Sequence, residues 1–142
     1  MDHWDPGLET GDASLDEHHR ELFRLLDAVL TAAAAGDRAG TERALDRLHE
    51  ETADHFAEEQ GRMAELEDPA LPRHREAHEA FLEDFGRLRW ELRRRGLSPL
   101  FRLWIEGRLP GWLRLHTRTL DRALADGART RWSGQARNAA AP

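Results

Sequence analysis

Near the middle of this chain, His55 and Glu59 stand four residues apart in the run His55-Phe56-Ala57-Glu58-Glu59. In a helix that spacing projects both side chains from one face. The same face carries Leu45, Leu48, Phe56, Met63 and Leu66 at helical intervals, so it is the face that packs inward. An imidazole and a carboxylate buried together are costly unless something binds both. The pair therefore constrains the fold: the chain must form helices and bury this face. It must also bring to the pair the groups that offset its polarity, and a metal ion is the obvious one.

Four amphipathic segments supply the helices. The first spans roughly 15–35, with Leu15, Leu22, Phe23, Leu26, Val29 and Leu30 in one stripe. His19 falls inside that stripe and His18 at its rim, about 100° away. Ser14 or Asp16 is the expected cap, and Gly36 ends the segment. The second spans roughly 38–67 and carries His55 and Glu59, with Glu58 turned to solvent and Glu51 near the boundary. Asp68-Pro69 and Pro72 mark a turn. The third, roughly 71–95, aligns His74, His78, Phe81, Phe85, Leu88 and Leu92. Two histidines at i and i+4 on an inward stripe have a helical chelate spacing. The fourth begins at Ser98-Pro99, a cap followed by proline. Its inner face holds Phe101, Ile105, Leu109, Trp112, His116 and Leu120, and Pro110-Gly111 should kink it or replace one turn.

Short loops between four such helices predict an all-α, up-down-up-down four-helix bundle. Residues 1–13, with Pro6, Gly7 and Gly11, read as an irregular N-terminal arm anchored by Trp4 and Leu8. The bundle occupies 14–126. Residues 127–142 lack an apolar period and read as a disordered tail, with Trp132 as a local anchor.

Composition narrows the chemistry. With 142 residues the chain suits one domain. Its 27 acidic and 21 basic residues give a formal net charge of -6, which argues against a nucleic-acid partner. Cysteine is absent, so disulfides, thiolate metal sites and a cysteine nucleophile are excluded. No apolar run reaches membrane-spanning length, and the acidic N-terminus lacks a secretory signal, so no membrane insertion and a cytoplasmic location are expected.

Of the 8 histidines, His19, His55, His74, His78 and His116 fall on the core stripes, and all four helices contribute. His3, His18 and His49 fall outside them. Nitrogen and oxygen donors without sulfur suit zinc, iron, manganese or copper. Five histidines exceed what a four-coordinate structural zinc needs. They point to two metals with bridging carboxylates, and Glu59 is one bridge by position. The Glu-x-x-His pairs of ferritin-like di-iron bundles are absent. Haem needs fewer axial ligands and leaves a buried Glu59 without a reason.

These segments together resemble the hemerythrin family, in particular its single-domain bacterial members. The resemblance rests on Leu15-Asp16-Glu17-His18-His19-Arg20-Glu21-Leu22-Phe23 and on His55-Phe56-Ala57-Glu58-Glu59 with Met63. It continues in His74-Arg75-Glu76-Ala77-His78 with Phe81, and in Trp112-Leu113-Arg114-Leu115-His116 with Asp121. It covers roughly residues 4–125. The resemblance implies two iron ions with a bridging oxo or hydroxo group, and O2 as ligand. His74, His78 and His116 would bind one iron and His19 and His55 the other, with Glu59 and Asp121 bridging. Leu22, Phe56, Trp112, Leu113 and Thr117 would line the oxygen pocket. The implied role is reversible dioxygen binding for transport, storage or delivery, not enzymatic turnover. The implied partners are dioxygen and an oxygen-consuming enzyme or redox protein. The alternatives at the same site are an oxygen or redox sensor, or consumption of peroxide or nitric oxide.

The chain departs from the family pattern at Thr117, where an aliphatic residue is usual, at His18 for Gln, at Glu51 for Tyr and at Pro110-Gly111. Asp121 follows His116 by five residues, about 140° round an ideal helix. Both can reach one centre only if the helix is locally widened, so an irregularity with π-type i,i+5 spacing is expected between 110 and 121.

Overall fold

The structure is a computed structural model and describes residues 4–118. Leu120, Asp121, Trp132, the tail 127–142 and His3 lie outside the described residues. Among the described residues the chain is all helical, with four helical rods and no strand, as a four-helix bundle requires.

The arm enters through a short 3-10 turn, Pro6–Leu8, held by Asp5 accepting from the Gly7 amide at 2.7 Å. Leu8 is buried, and Trp4 meets Phe23 edge-on with centroids 5.8 Å apart. α1 runs Ala13–Ala34, and its cap is Asp12, whose Oδ1 accepts from the Leu15 amide at 3.0 Å. The expected caps, Ser14 and Asp16, do not fill that place. Asp16 instead faces back into the arm, where Oδ1 accepts from the Thr10 amide and hydroxyl at 2.7 and 2.8 Å. Gly11, at φ 88°, makes this reversal without strain. The helix thus starts two residues earlier than the apolar stripe indicates.

α2 (Arg38–Glu65) and α3 (Leu71–Arg95) pack side by side, tied at the end away from His55 by Arg89 to Asp46 at 2.9 Å and Arg93 to Glu42 at 3.0 Å. Gly96, at φ 70°, closes α3 by donating to the Leu92 carbonyl at 2.8 Å. The fourth rod starts at Ser98, which caps Phe101, and runs through α4 (Pro99–Leu103) and α5 (Leu109–His116).

Between α4 and α5 lies a π-turn, Trp104–Arg108, in which the Leu109 amide donates to the Trp104 carbonyl five residues back. Pro110 follows directly. Its ring would clash with the carbonyl one α-turn earlier, and the wider π-turn relieves that clash without breaking the rod. The irregularity expected at Pro110-Gly111, a kink or a replaced turn, thus takes the form of this π-turn just upstream. A second π-type stretch begins at Thr117 and Arg118, inside the interval where widening is expected.

The core divides along the bundle axis. One end is apolar, with Leu26, Val29, Leu45, Leu48, Leu92, Phe101 and Ile105 each at most 1% exposed. Toward the other end the stripes of all four rods turn polar, at His19, His55, Glu59, His74, His78 and His116, each at most 5% exposed.

Candidate metal centre

Each rod delivers its polar side chains by helical spacing alone. α1 presents His19; α2 presents His55 and Glu59; α3 presents His74 and His78; α5 presents His116 at its last turn. The Nε2 atoms of all five imidazoles converge on the Glu59 carboxylate. His55 Nε2 lies 2.9 Å from Glu59 Oε1, and His19 Nε2 lies 3.1 Å from His55 Nε2. On the other oxygen, Oε2, fall His74 at 3.1 Å, His78 at 3.5 Å and His116 at 3.7 Å. His78 and His116 face each other Nε2 to Nε2 at 3.1 Å. The donors form two sets, His19-His55-Glu59 and Glu59-His74-His78-His116, with Glu59 in both.

The donor set suits cations. A transition metal about 2.1 Å from each nitrogen sets neighbouring ligands at right angles about 3 Å apart, close to the spacings found here. The Nδ1 atom of His78 lies 2.8 Å from Gln60 Oε1. An amide oxygen only accepts, so Nδ1 carries the proton and Nε2 carries the lone pair. That lone pair faces His116 Nε2 at 3.1 Å and Glu59 Oε2 at 3.5 Å, and the carboxylate oxygen is itself an acceptor. Such an arrangement is repulsive unless a cation or proton lies between. Burial, the largest influence, pushes the His78 imidazole below its ordinary range; His116 and His74 act the same way and Glu59 opposes them. The neutral form, the one that ligates, is thereby favoured.

Aromatic rings wall the cluster. Phe56 lies flat on His78, with centroids 3.8 Å apart and planes 3° from parallel. Trp112 stacks on His116 at 4.6 Å and on Phe81 at 3.7 Å. Leu22, Phe56, Leu113 and Thr117 are buried and Trp112 is half-buried. Phe81, which shares the inward stripe of His74 and His78, and Gln60, which the sequence pattern does not single out, both take part in this shell. Gln60 carries no sequence signal, since its neighbour Glu59 accounts for the inward face.

The remaining candidates sit at the margin. His18 is partly exposed and pairs through Nδ1 with Glu58 Oε2 at 3.3 Å. Glu58 is half-exposed, while Glu51 is intermediate and lines a cleft beside His55. His49, placed on the outer part of its helix by its angle, is half-buried and meets Phe85 edge-on at 5.1 Å.

A four-helix bundle with a buried histidine–carboxylate cluster shared by all four rods defines a metal-binding bundle. The chain belongs to the hemerythrin family: the model of the hemerythrin HHE cation binding domain matches residues 10–126. It is similar to a bacteriohemerythrin of Ralstonia nicotianae, 33% identical over 93% of this chain and 88% of that protein. A bacteriohemerythrin of Stenotrophomonas maltophilia is 30% identical over 87% of this chain and 78% of that one. A myohemerythrin of Sipunculus nudus is 29% identical over 83% and 86%. Among the described residues no helix is long and apolar enough to cross a membrane.

Proposed function

We propose that the cluster holds two iron ions and that the protein binds dioxygen reversibly for transport, storage or delivery. The observation that supports this most is Glu59: each of its oxygens faces a different set of histidines, as a carboxylate bridging two ions must. His74, His78 and His116 would hold one ion, and His19 and His55 the other. Asp121 would be the second bridge; it lies outside the described residues. Two histidines against three leave the first set with fewer protein ligands, so the exogenous ligand belongs there.

When bound, the paired irons supply the two electrons that dioxygen draws on when it is taken up. The rest is the work of the chain. Gln60 holds the His78 ring in the tautomer that offers Nε2. Glu59 is fixed between the rods by its histidine neighbours. Phe56, Trp112, Leu22 and Leu113 keep water from the pocket. Thr117 is buried one residue after His116, and its hydroxyl would stand beside that apolar wall. A hydroxyl there can donate a hydrogen bond or hold a water, which favours loss of electrons from the reduced centre and lends weight to turnover of peroxide or nitric oxide as the second reading.

Mixing the reduced, iron-loaded protein with dioxygen and then removing the gas tests the assignment. Visible absorption that rises with dioxygen and falls again under argon supports the carrier. Irreversible oxidation with sustained peroxide consumption supports the enzyme.

A further inference from the structure

A narrow cleft of about 100 Å³ opens between α1 and α2, and His55 forms part of its wall. Its other side chains are dominated by carboxylates: Glu51, Asp54 and Glu58 from successive turns of α2, with Glu21 facing them from α1. No arginine lines it among the described residues. Glu21 is already engaged, its carboxylate 2.6 and 2.8 Å from the Arg24 guanidinium. The three α2 carboxylates stand at i, i+3 and i+7, a ladder leading along one helix edge past His55. His18 sets one side of the mouth: its Nδ1 lies 3.3 Å from Glu58 Oε2, and its ring stands perpendicular to that of His55 at 5.8 Å.

Around His78 and His116 the centre is walled by the rings of Phe56, Trp112 and Phe81, with Trp112 stacked on Phe81 and tilted to Phe56. The larger apolar groove along Leu88, Trp90, Phe101 and Trp104 contacts none of the converging donors. A hydrated dication cannot shed its water against aromatic rings, and needs oxygen ligands to replace that water stepwise. Negative charge focused in a narrow cleft also concentrates cations at its mouth.

We infer that this cleft is the loading route for the metal, with Glu51, Asp54 and Glu58 passing ferrous ion inward to His55. The inference rests on the di-iron reading of the centre. The three carboxylates are transient contacts and hold no metal at rest, so they set the rate of loading and leave the final occupancy alone.

The test uses the full-length chain stripped of metal and mixed anaerobically with ferrous ion. Uptake is followed as the loss of iron accessible to a chromophoric chelator, and final iron content is measured separately. The variant E51Q/D54N/E58Q should load roughly tenfold more slowly than the parent. It should reach the same final iron content. Loading of the parent should slow as salt is added, and that of the variant should hardly respond. The single variant E58Q should fall between them. The control E83Q/D84N, which removes charge from the exposed face of α3 near Arg87, should load like the parent. A triple variant that loads at the parental rate overturns the route, as does a control slowed equally. A triple variant that loses final iron content also overturns it, because its carboxylates would then belong to the centre. A parent chain that takes up no iron overturns the di-iron reading itself.

Discussion

Gln60 Oε1 lies 2.8 Å from Nδ1 of His78, across the interface between α2 and α3. The contact fixes which imidazole nitrogen bears the proton and aims the other at Glu59. Replacing Gln60 by Leu removes the acceptor while keeping the side-chain volume. Metal affinity should fall about 10- to 100-fold, the usual cost of losing an outer partner of a histidine ligand. Gln60→Glu should restore most of it. Competition titration against a chelator measures this, and unchanged affinity in the Leu variant would show that the contact is incidental.

The metal-free protein should lose stability as pH falls. His78 is pushed below the ordinary value of 6.5 by burial, and so is His49, pressed against Phe85, with Arg89 adding to the effect. The unfolded chain therefore binds protons at these sites before the folded chain does. Their stabilising effect is complete above 6.5 and shrinks as pH drops through 6.5 toward the folded values. Urea denaturation at pH 8, 6.5 and 5.5 should give a falling midpoint. A midpoint that rises across that interval would contradict the buried, neutral imidazoles.

Much of this was legible in the sequence because both fold and site follow helical periodicity. His19, His55, His74, His78 and His116 stand on stripes that also contain Leu, Phe and Met, and those stripes had to turn inward. The choices of His19 over His18 and of Glu59 over Glu58 follow from 100° of rotation. What periodicity does not encode was not legible. Asp12 caps α1 because the arm folds back and Asp16 is drawn to Thr10, a tertiary arrangement invisible in local spacing. The π-turn at Trp104–Arg108 relieves Pro110 a turn earlier than expected, since a proline's clash falls on a preceding carbonyl. Gln60 needed the approach of α3 before its amide had a partner.

Asp12 also ties the arm to α2, its Oδ2 2.6 Å from Arg62 Nη2. Burial pulls its pKa up, but the Leu15 amide and Arg62 outweigh that and hold the carboxyl below its ordinary range. Asp12→Ala should destabilise the protein by roughly 1–2 kcal/mol, from loss of a helix cap. Ser14→Ala, at the expected but unused cap, should stay within about 0.5 kcal/mol. Equal effects of the two substitutions in thermal denaturation would contradict the cap assignment.

Thr117→Val exchanges a buried hydroxyl for a methyl group beside His116. Spontaneous oxidation of the reduced, iron-loaded protein in air should slow severalfold, with iron content unchanged. A rate equal to the parent's would mean that the hydroxyl takes no part in loss of electrons from the centre.

The most direct test of the account is the iron content of the purified chain, with Glu59→Gln and Glu58→Gln beside it. The parent should carry about two iron ions per chain, as a carboxylate shared by two histidine sets demands. Glu58→Gln should match the parent, and Glu59→Gln should lose most of its iron. A parent with one metal or none, or equal losses in the two variants, would contradict the shared-carboxylate centre.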